Sequence, residues 1–296
     1  MKGHAFTIGL VQMSPSFDPS ANLKRAAALV GQAANDGARI ICLPELYRSQ
    51  YFCQSEDVRS FDLAEPVPGQ STEAMAAVAR QKGITVIVPV FEHRAAGLYH
   101  NSAVVIGPEG NIAGLYRKMH IPDDPGYYEK YYFTPGDLGY LAFDTEAGKI
   151  STLICWDQWY PEAARLASLR GAGILFYPTA IGWYPKEKSS VGQAQKDAWV
   201  TIQRAHAIAN GVYVAGVNRA GLERPVGGEG IEFWGGTFLC DPFGVVTASA
   251  RTMGEEVVLG DVDLSRVEEA RHGWPFLRDR RIDSYVGLDK RFLEGT

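Results

Sequence analysis

The chain has 296 residues, 46% hydrophobic and 21% charged, a globular balance that excludes a disordered, collagen-like or coiled-coil protein. Twenty-nine Lys and Arg face 34 Asp and Glu, a net charge of −5 with a pI near 5.7. A mildly acidic chain argues against nucleic acid or an anionic membrane as partner and leaves a cationic small molecule open.

The start of the chain alternates and reads as a first strand, Phe6–Gln12, rather than a signal peptide. Ala21–Asn35 has helical spacing and is stopped by Asn35-Asp36-Gly37; Ala38–Leu43 is a short apolar strand. Ser71–Lys82 reads as a helix capped by Ser71 or Thr72 and ended by Gly83. Ile84–Val90 is β-branched and strand-like, and the apolar run to Phe91 is too short to span a bilayer. Asn101–Gly107 and Asn111–Arg117 flank Pro108-Glu109-Gly110 and predict a hairpin. Ile150–Cys155, Pro161–Arg170 and Ile174–Pro178 predict a strand–helix–strand unit. Trp199–Asn210 reads as a helix and Val212–Asn218 as a strand. Phe233–Cys240 with Val245–Ala250 reads as a second hairpin. This order predicts a layered α/β fold with mixed sheets, in one domain over 1–296. The arginine-rich tail from about 265 reads as a salt-bridged surface or a subunit contact.

Four cysteines (Cys42, Cys53, Cys155, Cys240) without C-x-x-C spacing argue against a disulfide scaffold or zinc ribbon and suit a cytoplasmic protein. The six histidines offer no evident metal cluster, so neither metal nor other cofactor is expected. Chemistry concentrates at three strand ends. Leu153-Ile154-Cys155 leads through Trp156-Asp157-Gln158-Trp159-Tyr160 into a helix opened by Pro161. A cysteine near a helix N-terminus has a favoured thiolate and oxyanion-binding N–H groups nearby, though a buried structural cysteine fits the same pattern. Two other strands deliver Glu45 after Pro44 and Lys118 after Arg117. A carboxylate moves protons, an ammonium stabilises an oxyanion and a thiol forms a covalent intermediate. Taken alone, Glu45 also fits a solvated loop acid, and Lys118 a partner for Asp123 or Asp124. Cys42 and Cys240 read as core, while Cys53, near the Glu45 loop, is a candidate pocket residue.

Pro-Glu at Glu45, Arg-Lys-Met-His at Lys118 and Ile-Cys-Trp-Asp at Cys155 resemble the nitrilase superfamily of carbon–nitrogen hydrolases, from the first strand to about Tyr285. The resemblance implies a Glu45–Lys118–Cys155 catalytic triad, a four-layer α–β–β–α sandwich and a homo-oligomer. His120-Ile121-Pro122-Asp123, Glu129-Lys130-Tyr131-Tyr132-Phe133 and Tyr177-Pro178-Thr179-Ala180-Ile181-Gly182 are similar to the N-carbamoylputrescine amidohydrolase branch. That implies a second active-site carboxylate at Glu129 and a small carbamoyl-amine substrate. It also implies binding residues at Tyr51, His120, Asp123, Tyr127, Trp156, Ala180 and Tyr184. Tyr184 stands where relatives often carry a glutamate facing the distal amine. Asp123, Glu187, or the ring faces of Trp183 and Tyr184 are candidates for that task. The alternatives are another N-carbamoyl amine or amino acid, a simple amide, an acyl transfer to an amine, or a silent binding protein. A carboxylate-bearing substrate would want an arginine, with Arg48 and Arg219 as candidates.

Overall fold

The computed structural model describes residues 5–225, 227–251 and 253–294. In chain order the first half comprises β1 (Ala5–Gln12), α1 (Pro19–Asn35), β2 (Ala38–Cys42), α2 (Gln70–Lys82), β3 (Thr85–Ala95), β4 (Leu98–Ile106), β5 (Ile112–Arg117), α3 (Glu129–Tyr132), β6 (Phe143–Thr145) and β7 (Gly148–Thr152). The second half comprises α4 (Pro161–Leu169), β8 (Ile174–Thr179), β9 (Gly182–Trp183), α5 (Gly192–Asn210), β10 (Tyr213–Asn218), β11 (Ala220–Glu223), β12 (Ile231–Trp234), β13 (Phe238–Cys240), β14 (Val246–Ser249), β15 (Glu256–Asp263) and α6 (Ser265–Gly273).

Two six-stranded mixed sheets form, in the orders β15-β1-β2-β3-β4-β5 and β14-β13-β10-β8-β7-β6. In the first, β1, β2 and β3 run parallel; in the second, β7, β8 and β10 do. Period-two alternation divides the side chains of the first sheet. Ile8, Leu10, Ile40, Cys42, Ile87 and Val105 face the second sheet and share its core. Val11, Ile41, Leu43, Val86, Val88 and Val104 turn the other way, onto Leu29, Val30 and Ala33 of α1 and Met75 and Ala79 of α2. Ala163, Ala164 and Ala167 of α4 and Trp199 and Ala207 of α5 cover the second sheet. The four-layer α–β–β–α sandwich is therefore present.

Local signals explain most boundaries. Asp18 caps α1 by accepting from the Ser20 and Ala21 N–H groups, with Pro19 in the first turn. The cap of α2 differs from the expectation. Gly69 is the cap, and Thr72 reaches back with its hydroxyl to accept the Gly69 N–H at 2.8 Å. The Ser71 N–H is met by Glu65 instead. Gly83 ends the helix in the left-handed region, φ 64°. The expected 233–240 strand is two strands: Gly235 and Gly236, φ 59° and 67°, break it. Phe233 and Trp234 then pair in a small antiparallel sheet, β11-β12-β9, while Phe238–Cys240 makes the expected hairpin with β14. The helix predicted from Trp199 starts earlier, at Gly192, and Cys155 lies beyond β7 in a tight turn, Cys155–Trp159.

Candidate active site

The three strand ends converge between the sheets. Glu45 follows β2, Lys118 follows β5 and Cys155 follows β7. Glu45, Lys118 and Glu129 are fully buried, and Cys155 is 4% exposed. Among the described residues only Leu46 (φ 49°) and Cys155 (φ 43°) are non-glycine residues with positive φ. Such backbone costs about 1–3 kcal/mol per residue and persists only where its surroundings enforce it. Both lie in this cluster.

The Lys118 ammonium donates to Glu45 Oε1 at 2.8 Å and to Glu129 Oε2 at 2.6 Å. It pairs with neither Asp123 nor Asp124, because both are exposed whereas Lys118 is sealed. Asn101 donates from Nδ2 to Glu45 Oε1 at 2.7 Å, and its carbonyl accepts the Lys118 N–H at 2.8 Å. The Tyr51 hydroxyl donates to Glu129 Oε1 at 2.7 Å. Glu45 Oε2 is buried and accepts no hydrogen bond from any described residue. The Cys155 thiol donates to the Ala180 carbonyl at 3.8 Å.

Burial and the negative charge of Glu45 push the Cys155 thiol well above its ordinary value, against the pull of Lys118. The resting nucleophile candidate is therefore a neutral thiol that needs a base. Burial alone would lower Lys118, but Glu129 and Glu45 outweigh it and hold the ammonium far above its usual range. Burial pushes Glu129 up to about 7, against Lys118 and with help from the charge of Glu45. Between the ordinary 4.5 and about 7 the folded chain keeps a Glu129 proton that the unfolded chain has released. Stability conferred at low pH is therefore lost as pH rises through that window. Glu129→Gln should flatten this fall, read as urea midpoints at about pH 5 and about pH 8 in both proteins. An equally steep fall in the variant would assign the dependence to other groups.

The family model described as Carbon-nitrogen hydrolase matches residues 7–272. This chain belongs to the carbon–nitrogen hydrolases. It is 42% identical to the N-carbamoylputrescine amidase of Solanum lycopersicum over 97% of this chain and 96% of that one. It is 36% identical to the citrullinase of Francisella tularensis, covering 96% of this chain and 98% of the relative. The carbon-nitrogen hydrolase structure from Helicobacter pylori G27 superposes with a TM-score of 0.95 at 46% identity, covering 98% of this chain and 100% of that one. The fold is that of the nitrilase superfamily.

In this carbon–nitrogen hydrolase a cleft of about 370 Å³ reaches Cys155. That size suits a small linear ligand. Trp156, Tyr127 and Ala180 line it as the sequence suggested, and Trp159 and Trp234 add apolar wall. Tyr127 accepts the Gly182 N–H at 3.2 Å, and Tyr184 spans from its own loop to the Pro125 carbonyl. No room for a Cβ remains at Gly126 beneath that phenol.

Several expected residues lie elsewhere. Asp123 is exposed and outside the cleft lining; Asp124 and Glu187 line it instead. His120 also lies off the lining, paired through Nδ1 with Asp157 at 2.7 Å and stacked on Tyr160. Tyr51 sits behind the cleft on Glu129, so it touches the carboxylate cluster rather than the cleft. Trp183 is buried against Trp234 under the Lys188 ammonium, which leaves its ring no role toward a ligand. Cys53 is sealed in the core beside Glu129, as Cys42 and Cys240 are sealed in theirs. Neither arginine candidate lines the cleft. Arg48 pairs with Glu65 at 3.2 Å. Arg219 is clasped by Glu223 and donates to the carbonyls of Glu45, Leu46 and Ser49, which fixes the Glu45 loop.

Sequence reasoning missed Asn101, the Arg219–Glu223 clasp and Asp124. Asn101 carried a faint signal: a polar residue opening an apolar strand. Arg219 follows β10 directly, a strand-end position like those of Glu45 and Lys118. Among the described residues no group of three or more His, Cys, Asp or Glu is placed to hold a metal ion, and no helix is long and apolar enough to cross a membrane.

Proposed function

We propose that the chain hydrolyses the ureido group of N-carbamoylputrescine, or a closely similar carbamoyl diamine, to the amine, carbon dioxide and ammonia. The observation that carries the substrate end is the charge of the cleft. Its described lining holds two carboxylates, Asp124 and Glu187, with no arginine or lysine. A distal ammonium matches that lining, whereas the carboxylate of a ureido acid meets like charge. The similarity to N-carbamoylputrescine amidases supports the same reading.

Cys155 attacks the carbamoyl carbon and its proton passes to Glu45, whose unpartnered Oε2 is free to receive it. Lys118 and the Trp156 backbone N–H hold the oxyanion. The tetrahedral intermediate collapses, the carbon–nitrogen bond breaks, and ammonia departs with the proton returned by Glu45. Water then adds to the carbamoyl thioester with Glu45 as base, assisted by Glu129. The carbon–sulfur bond breaks, Cys155 regains its proton, and the released carbamic acid splits into amine and carbon dioxide.

Ammonia release from N-carbamoylputrescine should exceed that from N-carbamoyl-β-alanine, citrulline and glutamine. Preference for an acidic ureido compound would overturn the diamine assignment while leaving the hydrolase. Glu187→Gln and Asp124→Asn should each raise KM for the diamine about tenfold, the scale of a lost charge-assisted hydrogen bond, with kcat little changed. An unchanged KM in both variants would place the distal end elsewhere. The enzyme is proposed to act in the cytoplasm as a homo-oligomer. Its C-terminal segment from about 265 would supply subunit contacts, a reading supported by the exposure of Trp274, Ile282, Val286, Leu288 and Phe292.

A further inference from the structure

We propose that Asp157 is a positioning residue that sets Lys118 against Cys155, with His120 as its partner. The proposal rests on the reading of Lys118 and Cys155 as reacting groups. One fully buried carboxylate receives donors from two chain segments. On the nucleophile side, Asp157 Oδ2 accepts the Ile154 N–H at 3.0 Å, which closes the turn that carries Cys155 at its left-handed φ. On the lysine side, Oδ2 accepts the Tyr116 hydroxyl at 2.7 Å and Oδ1 accepts the His120 N–H at 3.0 Å. Tyr116 and His120 flank Lys118 on either side, two residues away. Burial and the charge of Asp157 push the Tyr116 phenol up, so it stays a donor.

The His120 ring completes the clasp. A carboxylate that already accepts three donors accepts a fourth, so Nδ1 carries the proton and donates at 2.7 Å. The ring lies parallel on Tyr160, 4° apart in plane and 3.7 Å between centroids, at the end of the same turn. Asp157 reaches neither the cleft nor the triad directly. It acts through geometry: it is the carboxylate shared by the Lys118 strand end and the Cys155 turn. A misplacement of about 1 Å between reacting groups costs about 10²-fold in rate.

The test uses the full chain and three variants. Asp157→Asn turns an amide N–H toward one of the two backbone donors. His120→Phe keeps a ring on Tyr160 but deletes the donor. His120→Asn loses the ring but keeps an N–H at the place of Nδ1. Two readouts are taken: kcat and KM per titratable Cys155, and the rate of Cys155 alkylation by iodoacetamide. Asp157→Asn is expected to lower kcat about 10²-fold and His120→Phe about tenfold, with KM within about threefold of wild type. His120→Asn should recover most of the His120→Phe loss, and alkylation should slow in the same order. Equal losses in the two His120 variants, or a wild-type kcat per titrated thiol in His120→Phe, would overturn the proposal, since a purely structural role lowers the folded fraction and not the rate per site. If Asp157→Asn does not fold, the His120 pair decides. If wild type leaves N-carbamoylputrescine untouched, the substrate reading fails, and alkylation still decides the positioning.

Discussion

Cys155→Ala should reduce ammonia release by at least about 10⁴-fold, the scale of losing a covalent nucleophile while binding and oxyanion contacts remain. Cys155 is the one thiol in the described lining of the cleft, so no neighbour replaces it. Alanine at φ 43° is strained much as cysteine is, so the turn is kept by its other bonds and the variant stays folded. Cys155→Ser should fall nearly as far. Burial and Glu45 already push the thiol up, and an alcohol is a far weaker acid than a thiol, so the same base activates it less well. Rapid acid quenching with intact-mass measurement should show a carbamoyl adduct on the wild type and none on the alanine variant. Near-normal ammonia release by Cys155→Ala would reject the thiol mechanism.

Lys118→Met is expected to lower kcat by at least about 10³-fold. Loss of one oxyanion donor accounts for about 10²–10³ of this. The rest comes from Glu45. The ammonium sits 2.8 Å from Glu45 and 2.6 Å from Glu129, all three groups fully buried. Without it the two buried carboxylates lose their shared counter-ion, which compromises Glu45 in its proposed role as base. Removing one member of a buried ion pair also costs stability, about 3–5 kcal/mol. The sign with pH follows. With no ammonium, the folded-state Glu129 carboxyl loses the charge that holds it down and rises further above its unfolded value. The penalty is then small in acid and grows as pH rises through the unfolded carboxylate range. Denaturant unfolding at low and neutral pH checks the stability, and single-turnover ammonia release checks the chemistry. Wild-type kinetics in this variant would remove Lys118 from the site.

The layered α/β fold with mixed sheets was legible because the short apolar runs of β1, β2 and β3 and the helical spacing of α1 and α2 each identify an element and their order alternates; the four-layer arrangement came only from the family resemblance. The three strand ends were legible because an apolar run that stops before Glu45, Lys118 or Cys155 leaves a chemical group at the end of a strand, although it was the family resemblance that singled out these three. The split at Gly235-Gly236 was not, because apolar residues continue across it and only the positive φ of both glycines turns the chain. Of the two carboxylates the sequence offered, Glu187 lines the cleft, while Asp123 gives way to its neighbour Asp124. Alternation does not apply in an irregular loop, where backbone turns decide which carboxylate faces inward.

What the sequence determined was local: which segments are strands and helices, which residues stand at their ends, and which chemistry those residue types can perform. The tertiary structure decided the partnerships. Glu45 meets Asn101 across 56 residues and Lys118 across 73. Glu129 is a buried partner of Lys118 rather than a surface acid only because Tyr51 and Lys118 converge on it. Arg219, a candidate for a substrate carboxylate in the sequence, is instead consumed by Glu223 and the Glu45 loop. The physical reason is that burial patterns are written along the chain with short periods. A buried polar group, by contrast, must be satisfied by whatever donors the packed sheets bring within about 3 Å of it, and those come from anywhere in the chain.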